Sequence, residues 1–186
     1  MKWNDPRMST TEPWRNPPPA PNLHEVRQRV STRSMLLELL RAWWPALLWA
    51  AFIFTMSTDY FSAAHTGRFF EPIFRWLYPS LTGDQFDIIH HYIRKTAHFV
   101  EYFIFFLLLY RAIRSSRHVT SGWQWSSALF AWLIAATYSA LDEIHQIFVP
   151  SRGPSPLDSL LDSTGALIAL LVLFILYRRS RRLSSA

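Results

Sequence analysis

The hydrophobic residues of the chain are gathered into four long runs, which are separated by shorter polar stretches. The runs cover about residues 39–57, 96–113, 125–149 and 156–177. Each run is close to the roughly 20 mostly apolar residues that an α-helix needs to cross a bilayer. The pattern therefore predicts an all-α, polytopic membrane protein, with a four-transmembrane-helix bundle over residues 36–180 and the lipid bilayer around it.

The segments outside these runs are polar. Residues 1–35 are rich in proline and contain no apolar stretch of the kind found in a signal peptide. They cannot bury enough apolar surface to offset the entropy lost on ordering, so we predict a disordered tail. Docking of a partner through polyproline II geometry stays open for this tail. Residues 181–186 are predicted to form a short basic tail.

The segment between the first two runs, residues 58–95, is too polar to span a membrane. It contains an amphipathic patch at residues 69–78 with the sequence FFEPIFRWLY. Two interpretations stay open for this patch. It either lies in the plane of the membrane interface, as amphipathic segments do, or packs as a loop over the ends of the helices.

The basic residues indicate the orientation of the chain. Of the 19 Lys and Arg residues, 14 lie on one side of the four runs and five on the other. Because Lys and Arg are enriched in cytoplasmic segments, we predict a protein of the inner (cytoplasmic) membrane with both termini in the cytoplasm. The net charge of +6 does not indicate nucleic acid, because the basic residues flank apolar runs. The chain has no cysteine, which excludes disulfides.

Ionisable residues within membrane spans are costly and usually face the interior of the bundle, which makes them candidates for a functional site. They occur at the start of the second run, the end of the third and the start of the fourth. With four spans, all three places lie at the extracytoplasmic end, where Gly165 would let another helix approach closely. The predicted site comprises Lys95, His98, Glu101 and Tyr102; Asp142, Glu143, Gln146 and Arg152; and Asp158 and Asp162.

These residue types favour two kinds of chemistry. In a catalytic site, His98 would exchange a proton near neutral pH, with Glu101 or Asp142 as its partner. In a binding site, Lys95 and Arg152 would contact a phosphate or a carboxylate. The remaining candidates are Glu143, for catalysis, and Tyr102, Gln146, Asp158 and Asp162, for binding the ligand or holding the cations in place.

Three motifs in this order resemble the VanZ-like family of bacterial membrane proteins, namely KTAHFVEY, LDEIHQIFVPSR and LDSLLDSTGAL. They cover about residues 95–169, and the first run with its trailing Ser57 is similar to the opening helix of the family. One difference is Asp162, where the family usually has Asn, so that this chain has an additional carboxylate. The resemblance implies a role in the bacterial cell envelope. The name of the family comes from a protein associated with resistance to the glycopeptide antibiotic teicoplanin.

Several functions stay open at this point. The first is an envelope factor that binds an anionic lipid-linked or peptidoglycan-related ligand. The second is a membrane hydrolase or transferase, although the chain has no GxSxG or HExxH motif. A metal-dependent enzyme would use His98, Glu101, Asp142, Glu143 or His145 as ligands. An ion pathway and a non-catalytic structural protein are the remaining alternatives. We predict no cofactor, no bound metal and no nucleic-acid partner.

Overall fold

The computed structural model describes residues 23–117, 121–151, 153 and 155–183, with side chains from residue 35 onward. The described chain is all-helical and contains no strand, which confirms the all-α part of the predicted fold class. It divides into two units with the boundary between residues 37 and 38, and the site described below belongs to the second. The helices are α1 (Leu23–Met56), a 3-10 turn (Asp59–Phe61), α2 (Ala63–Leu77), α3 (Gly83–Ser116), α4 (Trp125–Gln146) and α5 (Pro156–Leu183).

Within the described residues, three helices are long and apolar enough to cross a membrane. They are α1 from Met35 to Met56, α3 and α5, with mean hydropathies of 1.4, 1.4 and 2.2. The third predicted run forms a helix of 22 residues, α4, but α4 is not among these three. Its apolar character is diluted because serines and the acidic pair Asp142 and Glu143 interrupt it.

The ends of the chain differ in part from the predicted boundaries. Helix α1 begins at Leu23, inside the segment predicted to be a disordered tail. Residues 1–22 lie outside the described part of the chain, so their disorder stays a prediction. At the other end, α5 continues to Leu183, into the predicted basic tail, and residues 184–186 also lie outside the described part.

Helix α3 begins 13 residues earlier than the second apolar run. Its start is fixed by a capping box, in which the Gln85 backbone N–H donates to Thr82 Oγ1 at 3.3 Å and the Thr82 N–H donates to Gln85 Oε1 at 3.1 Å. The helix has 34 residues, which corresponds to roughly 51 Å at the α-helical rise. A bilayer core is only about 30 Å thick, so polar turns at one end of α3 extend beyond it.

The amphipathic patch belongs to α2, which packs against the first turns of α3. Gly67 is buried there, and a side chain at this position would lie 3.7 Å from the ring of His90. Phe74 and Phe86 add an edge-to-face ring contact with centroids 5.8 Å apart. Large apolar residues are exposed on the opposite side of α2, including Trp76, which is 79% exposed. The segment is therefore a docked helix rather than an irregular loop.

Helices α3, α4 and α5 pack together around a core of aromatic and small residues. Gly165 confirms the predicted close approach, because a Cβ atom there would lie only 2.4 Å from the Phe99 carbonyl oxygen of α3. Helix α1 is attached by side-chain hydrogen bonds. The Trp49 indole donates to the Glu101 carbonyl oxygen at 2.9 Å, and the Tyr138 hydroxyl donates to the Ala50 carbonyl oxygen at 2.7 Å.

Candidate functional site

The first contact of the candidate site joins α3 to α5. Lys95 Nζ forms an ion pair with Asp158 Oδ1, and the two residues are 63 positions apart in sequence. Asp158 lies in the first turn of α5, where the helix dipole favours a negative charge. The side chains remain 29% and 31% exposed, so the pair lies at the surface of the bundle. We refer to this end of the α3–α5 bundle as the polar end.

A second, buried contact joins α1 to α4. Asp142 Oδ2 accepts a hydrogen bond from Ser57 Oγ at 2.6 Å and another from Gln146 Nε2 at 2.9 Å. All three side chains are buried, with Ser57 fully so. Hydrogen bonds to a carboxylate are stronger than neutral ones, and here they offset part of the cost of burying Asp142. The predicted i, i+4 neighbours Asp142 and Gln146 are therefore in direct contact.

Asp162 is the most deeply buried carboxylate of the described chain, at 2% exposure. Its Oδ2 accepts a hydrogen bond from Ser139 Oγ at 3.0 Å, across the interface of α4 and α5. Its Oδ1 has no hydrogen-bond partner among the described residues. The fully buried ring of Tyr102 lies next to the same serine and within electrostatic range of Asp162. Tyr102 thus belongs to the packed core beneath the polar end.

Glu143 holds the beginning of α5 against the end of α4. Its Oε2 accepts a hydrogen bond from the backbone N–H of Ser155 at 2.8 Å. Ser155 immediately precedes α5, so this bond fixes the turn between the two helices. His145, on the other side of α4, stacks at a tilt on Phe54 of α1 with ring centroids 4.7 Å apart. Arg152 lies outside the described residues.

His98 and Glu101 lie one turn apart on α3. His98 Nδ1 is 3.6 Å from Glu101 Oε2, a separation that fits an ion pair when the imidazole is protonated. Both residues are mostly buried, with 20% and 13% of their side chains exposed. They also line a cavity of about 710 Å³ between the 3-10 turn, α2 and α3. The two groups therefore connect the predicted cluster to an open space.

The same cavity is also lined by residues that the sequence analysis placed only in the polar segment 58–95, without a role in the site. His90 and Arg94 continue the stripe of His98 along α3, and Thr66 faces them from α2. Thr66 Oγ1 lies 3.2 Å from His90 Nε2 and 3.3 Å from Arg94 Nη1. The i, i+4 spacing of His90 and Arg94 is a signal that could have placed them on a helix. Ser139, three residues before Asp142, was not predicted from the sequence, because the search was for ionisable residues and serine carries no charge.

The arrangement as a whole has two layers. Partly exposed charged groups lie at the polar end, and hydrogen-bonded carboxylates lie beneath them among small and aromatic residues. Glu101, Asp142 and Glu143 are all within electrostatic range of Asp162, and the Lys95 ammonium is within electrostatic range of Glu143. Within the described residues, no group of three His, Asp or Glu side chains is arranged to hold a metal ion.

The geometry can be compared with known proteins. Neither the curated proteins nor the solved structures contain a match to this chain. The sequence model of one family, VanZ/LLP1, does match, and it does so over residues 42–177. This range includes the part of α1 that carries Ser57 and every described residue of the polar end. The chain therefore belongs to the VanZ/LLP1 family of membrane proteins.

Proposed function

We propose that this protein acts in the bacterial cell envelope by binding an anionic, lipid-linked or peptidoglycan-related ligand at the extracytoplasmic end of its bundle. The observation that carries the proposal is the Lys95–Asp158 ion pair. It holds a partly exposed ammonium group of α3 beside the first turn of α5, and both helices are apolar enough to span the membrane. Cations in such a position make charge-assisted hydrogen bonds to phosphate or carboxylate. The association of the family name with teicoplanin resistance is consistent with an envelope ligand.

The proposal includes α4 as a fourth membrane span. Its 22 residues correspond to roughly 33 Å, which matches the thickness of a bilayer core. Its polar side chains at Ser139, Asp142 and Gln146 are buried, whereas large apolar residues such as Leu133 and Leu141 are more than half exposed. A helix in water has the opposite distribution, so this pattern favours lipid around α4.

Four spans place both termini on the same side of the membrane. The 14 basic residues on that side, against five on the other, favour the cytoplasm for the termini and the inner membrane for the protein. The polar end, α2 and the first turns of α3 then face outward. A ligand that is attached to the outer leaflet would reach Lys95 without crossing the bilayer.

One observation favours a second candidate function, a hydrolase or transferase that acts on a lipid-linked substrate. His98 and Glu101 form a close pair that opens onto the cavity, as a general acid–base pair would. Asp142, by contrast, is bonded to Ser57 and Gln146, which favours a structural role for this carboxylate over a role as the partner of His98.

Binding of a polyisoprenyl phosphate in detergent micelles tests the first proposal. Lys95→Gln removes a charge-assisted hydrogen bond, which contributes about 1.5–3 kcal/mol, so we expect a dissociation constant at least about tenfold higher. Arg68→Gln is the matched control, because it removes one positive charge from the same side of the chain at an exposed position of α2. Lys95→Arg keeps the charge and should retain most of the affinity.

The outcomes separate the candidate functions. The binding proposal is wrong if the wild-type chain does not retain the polyisoprenyl phosphate, or if Lys95→Gln and Arg68→Gln bind it equally well. Hydrolysis of the bound phosphate ester that is abolished by His98→Ala, with binding preserved, would establish the enzyme instead. Abundance in the membrane is measured for each variant, so that a loss of binding is not confused with a loss of protein.

A further inference from the structure

The cavity beneath α2 extends the polar end sideways along α3. The α3 residues that line it, from His90 through Arg94 to His98 and Glu101, follow one helical stripe. This stripe covers 12 residues, so its two ends lie roughly 17 Å apart along the helix axis. The volume of about 710 Å³ lies within the range of small-molecule sites, which is about 300–1,000 Å³. The space is therefore large enough for part of a lipid.

The polar part of the cavity is dominated by basic groups. Arg94 carries a permanent positive charge, and His65, His90 and His98 add three imidazoles, against the single carboxylate of Glu101. Arg94 is held in position, because its Nη1 donates to the Phe61 carbonyl oxygen at 2.9 Å. A guanidinium fixed in this way is suited to bidentate contact with two oxygens of an oxyanion such as phosphate. The fixed guanidinium and the ring N–H groups of the imidazoles thus give the lining hydrogen-bond donors for an anionic head group.

The rest of the cavity is apolar. Phe69 and Phe70 from α2 face Ile93 and Ala97 from α3 across the space. A second, shallower groove begins at the same Ile93 and Ala97 and continues to Val100 on the outer surface of α3. This groove faces the region that lipid would occupy around a spanning helix. A hydrocarbon chain could pass from the cavity into the bilayer without leaving apolar surroundings.

We propose that this cavity binds a phosphate-bearing lipid of the outer leaflet, with the phosphate at Arg94 and His90 and the chain along Ile93 and Ala97. The inference deepens the proposed function and rests on it, since it assigns the lipid part of the ligand to a particular place. His98 and Glu101 line the cavity and belong to the polar end, so the two regions form one continuous site. Helix α2 forms its outer wall.

The test fills the cavity and leaves its polar contacts in place. Ala97→Trp introduces an indole into the space, and the exposed position of Ala97 means that no core residue is displaced. Ala140→Trp is the matched control, because Ala140 is an exposed alanine of α4 outside the cavity. We expect Ala97→Trp to raise the dissociation constant for polyisoprenyl phosphate at least tenfold, and Ala140→Trp to leave it unchanged within twofold.

A water-soluble competitor separates the head group from the chain. Glycerol 3-phosphate carries the same phosphate without a long chain, so an excess of about tenfold should not displace the bound lipid. If the Ala97→Trp protein does not fold, Phe69→Gln replaces it, with Trp76→Gln as the control on the same helix. Trp76 is 79% exposed and does not line the cavity.

Each outcome bears on the inference separately from the proposed function. If Lys95→Gln weakens binding and the cavity variants do not, the cavity inference is wrong and the proposed function stands. If the cavity variants weaken binding and Lys95→Gln does not, the cavity site holds and the role of Lys95 is wrong. Displacement of the lipid by that excess of glycerol 3-phosphate would show that the hydrocarbon chain contributes little to binding, and would overturn the inference.

Discussion

Replacing Gly165 by alanine should weaken the packing of α5 on α3. A Cβ atom at this position would lie 2.4 Å from the Phe99 carbonyl oxygen and 3.2 Å from its carbonyl carbon, whereas ordinary contact begins near 3.4 Å. The two helix backbones must therefore separate by about 1 Å, and overpacking of this kind costs about 1–3 kcal/mol. Alanine has a better helix propensity than glycine, which stabilises the folded chain by about 0.5–1 kcal/mol and offsets part of this cost. We expect a net destabilisation of about 1–2 kcal/mol.

Thermal unfolding of the purified chain in detergent measures this effect. For a chain of this size, each kcal/mol corresponds to about 2–4 °C, so the Tm of Gly165→Ala should fall by about 2–8 °C. Gly83→Ala is the matched control, since a Cβ atom at Gly83, the first residue of α3, would meet nothing within 4 Å. A Tm for Gly165→Ala equal to or above that of Gly83→Ala would refute the close-approach argument.

Two further predictions concern the buried layer and the orientation. Asp142→Ala leaves the buried Ser57 and Gln146 without their shared acceptor, at about 1–3 kcal/mol for each group. We expect Asp142→Ala to lower the Tm and the membrane abundance more than Asp142→Asn, because asparagine keeps one acceptor oxygen. Equal values for the two variants would contradict this expectation. A reporter that is active only outside the cytoplasm should be inactive when fused to either terminus and active when inserted after Leu81. Activity of a fusion at either terminus would overturn the predicted orientation.

Three of the four spans and the candidate residues of the polar end could be predicted because each depends on residues close together in sequence. Apolar runs are visible directly, and the spacing from Lys95 to Glu101 places those side chains on one stripe whatever surrounds the helix. The meeting of Lys95 with Asp158, 63 residues away, followed from the topology, since alternate spans bring their ends to the same face.

Other features depend on the register between helices, which no local pattern contains. Ser57 and Asp142 are 85 residues apart, and their 2.6 Å contact requires a particular rotation of α1 against α4. The early start of α3 was hidden because a helix that continues beyond the bilayer needs no apolar run. The cavity was missed for the same reason, since Arg94 and His90 lie on those outer turns.

The attachment of α1 has a consequence for how the protein is made. The groups that bond to it, the Glu101 carbonyl oxygen, the Tyr138 hydroxyl and the Asp142 carboxylate, all belong to α3 or α4. During translation, α1 is therefore in the membrane well before its partners have been synthesised. Its Trp49 can be satisfied once α3 is in place, but Ser57, directly after α1, can be satisfied only when α4 is in place. We expect α1 to adopt its final rotation late, so that its attachment marks the completion of the bundle.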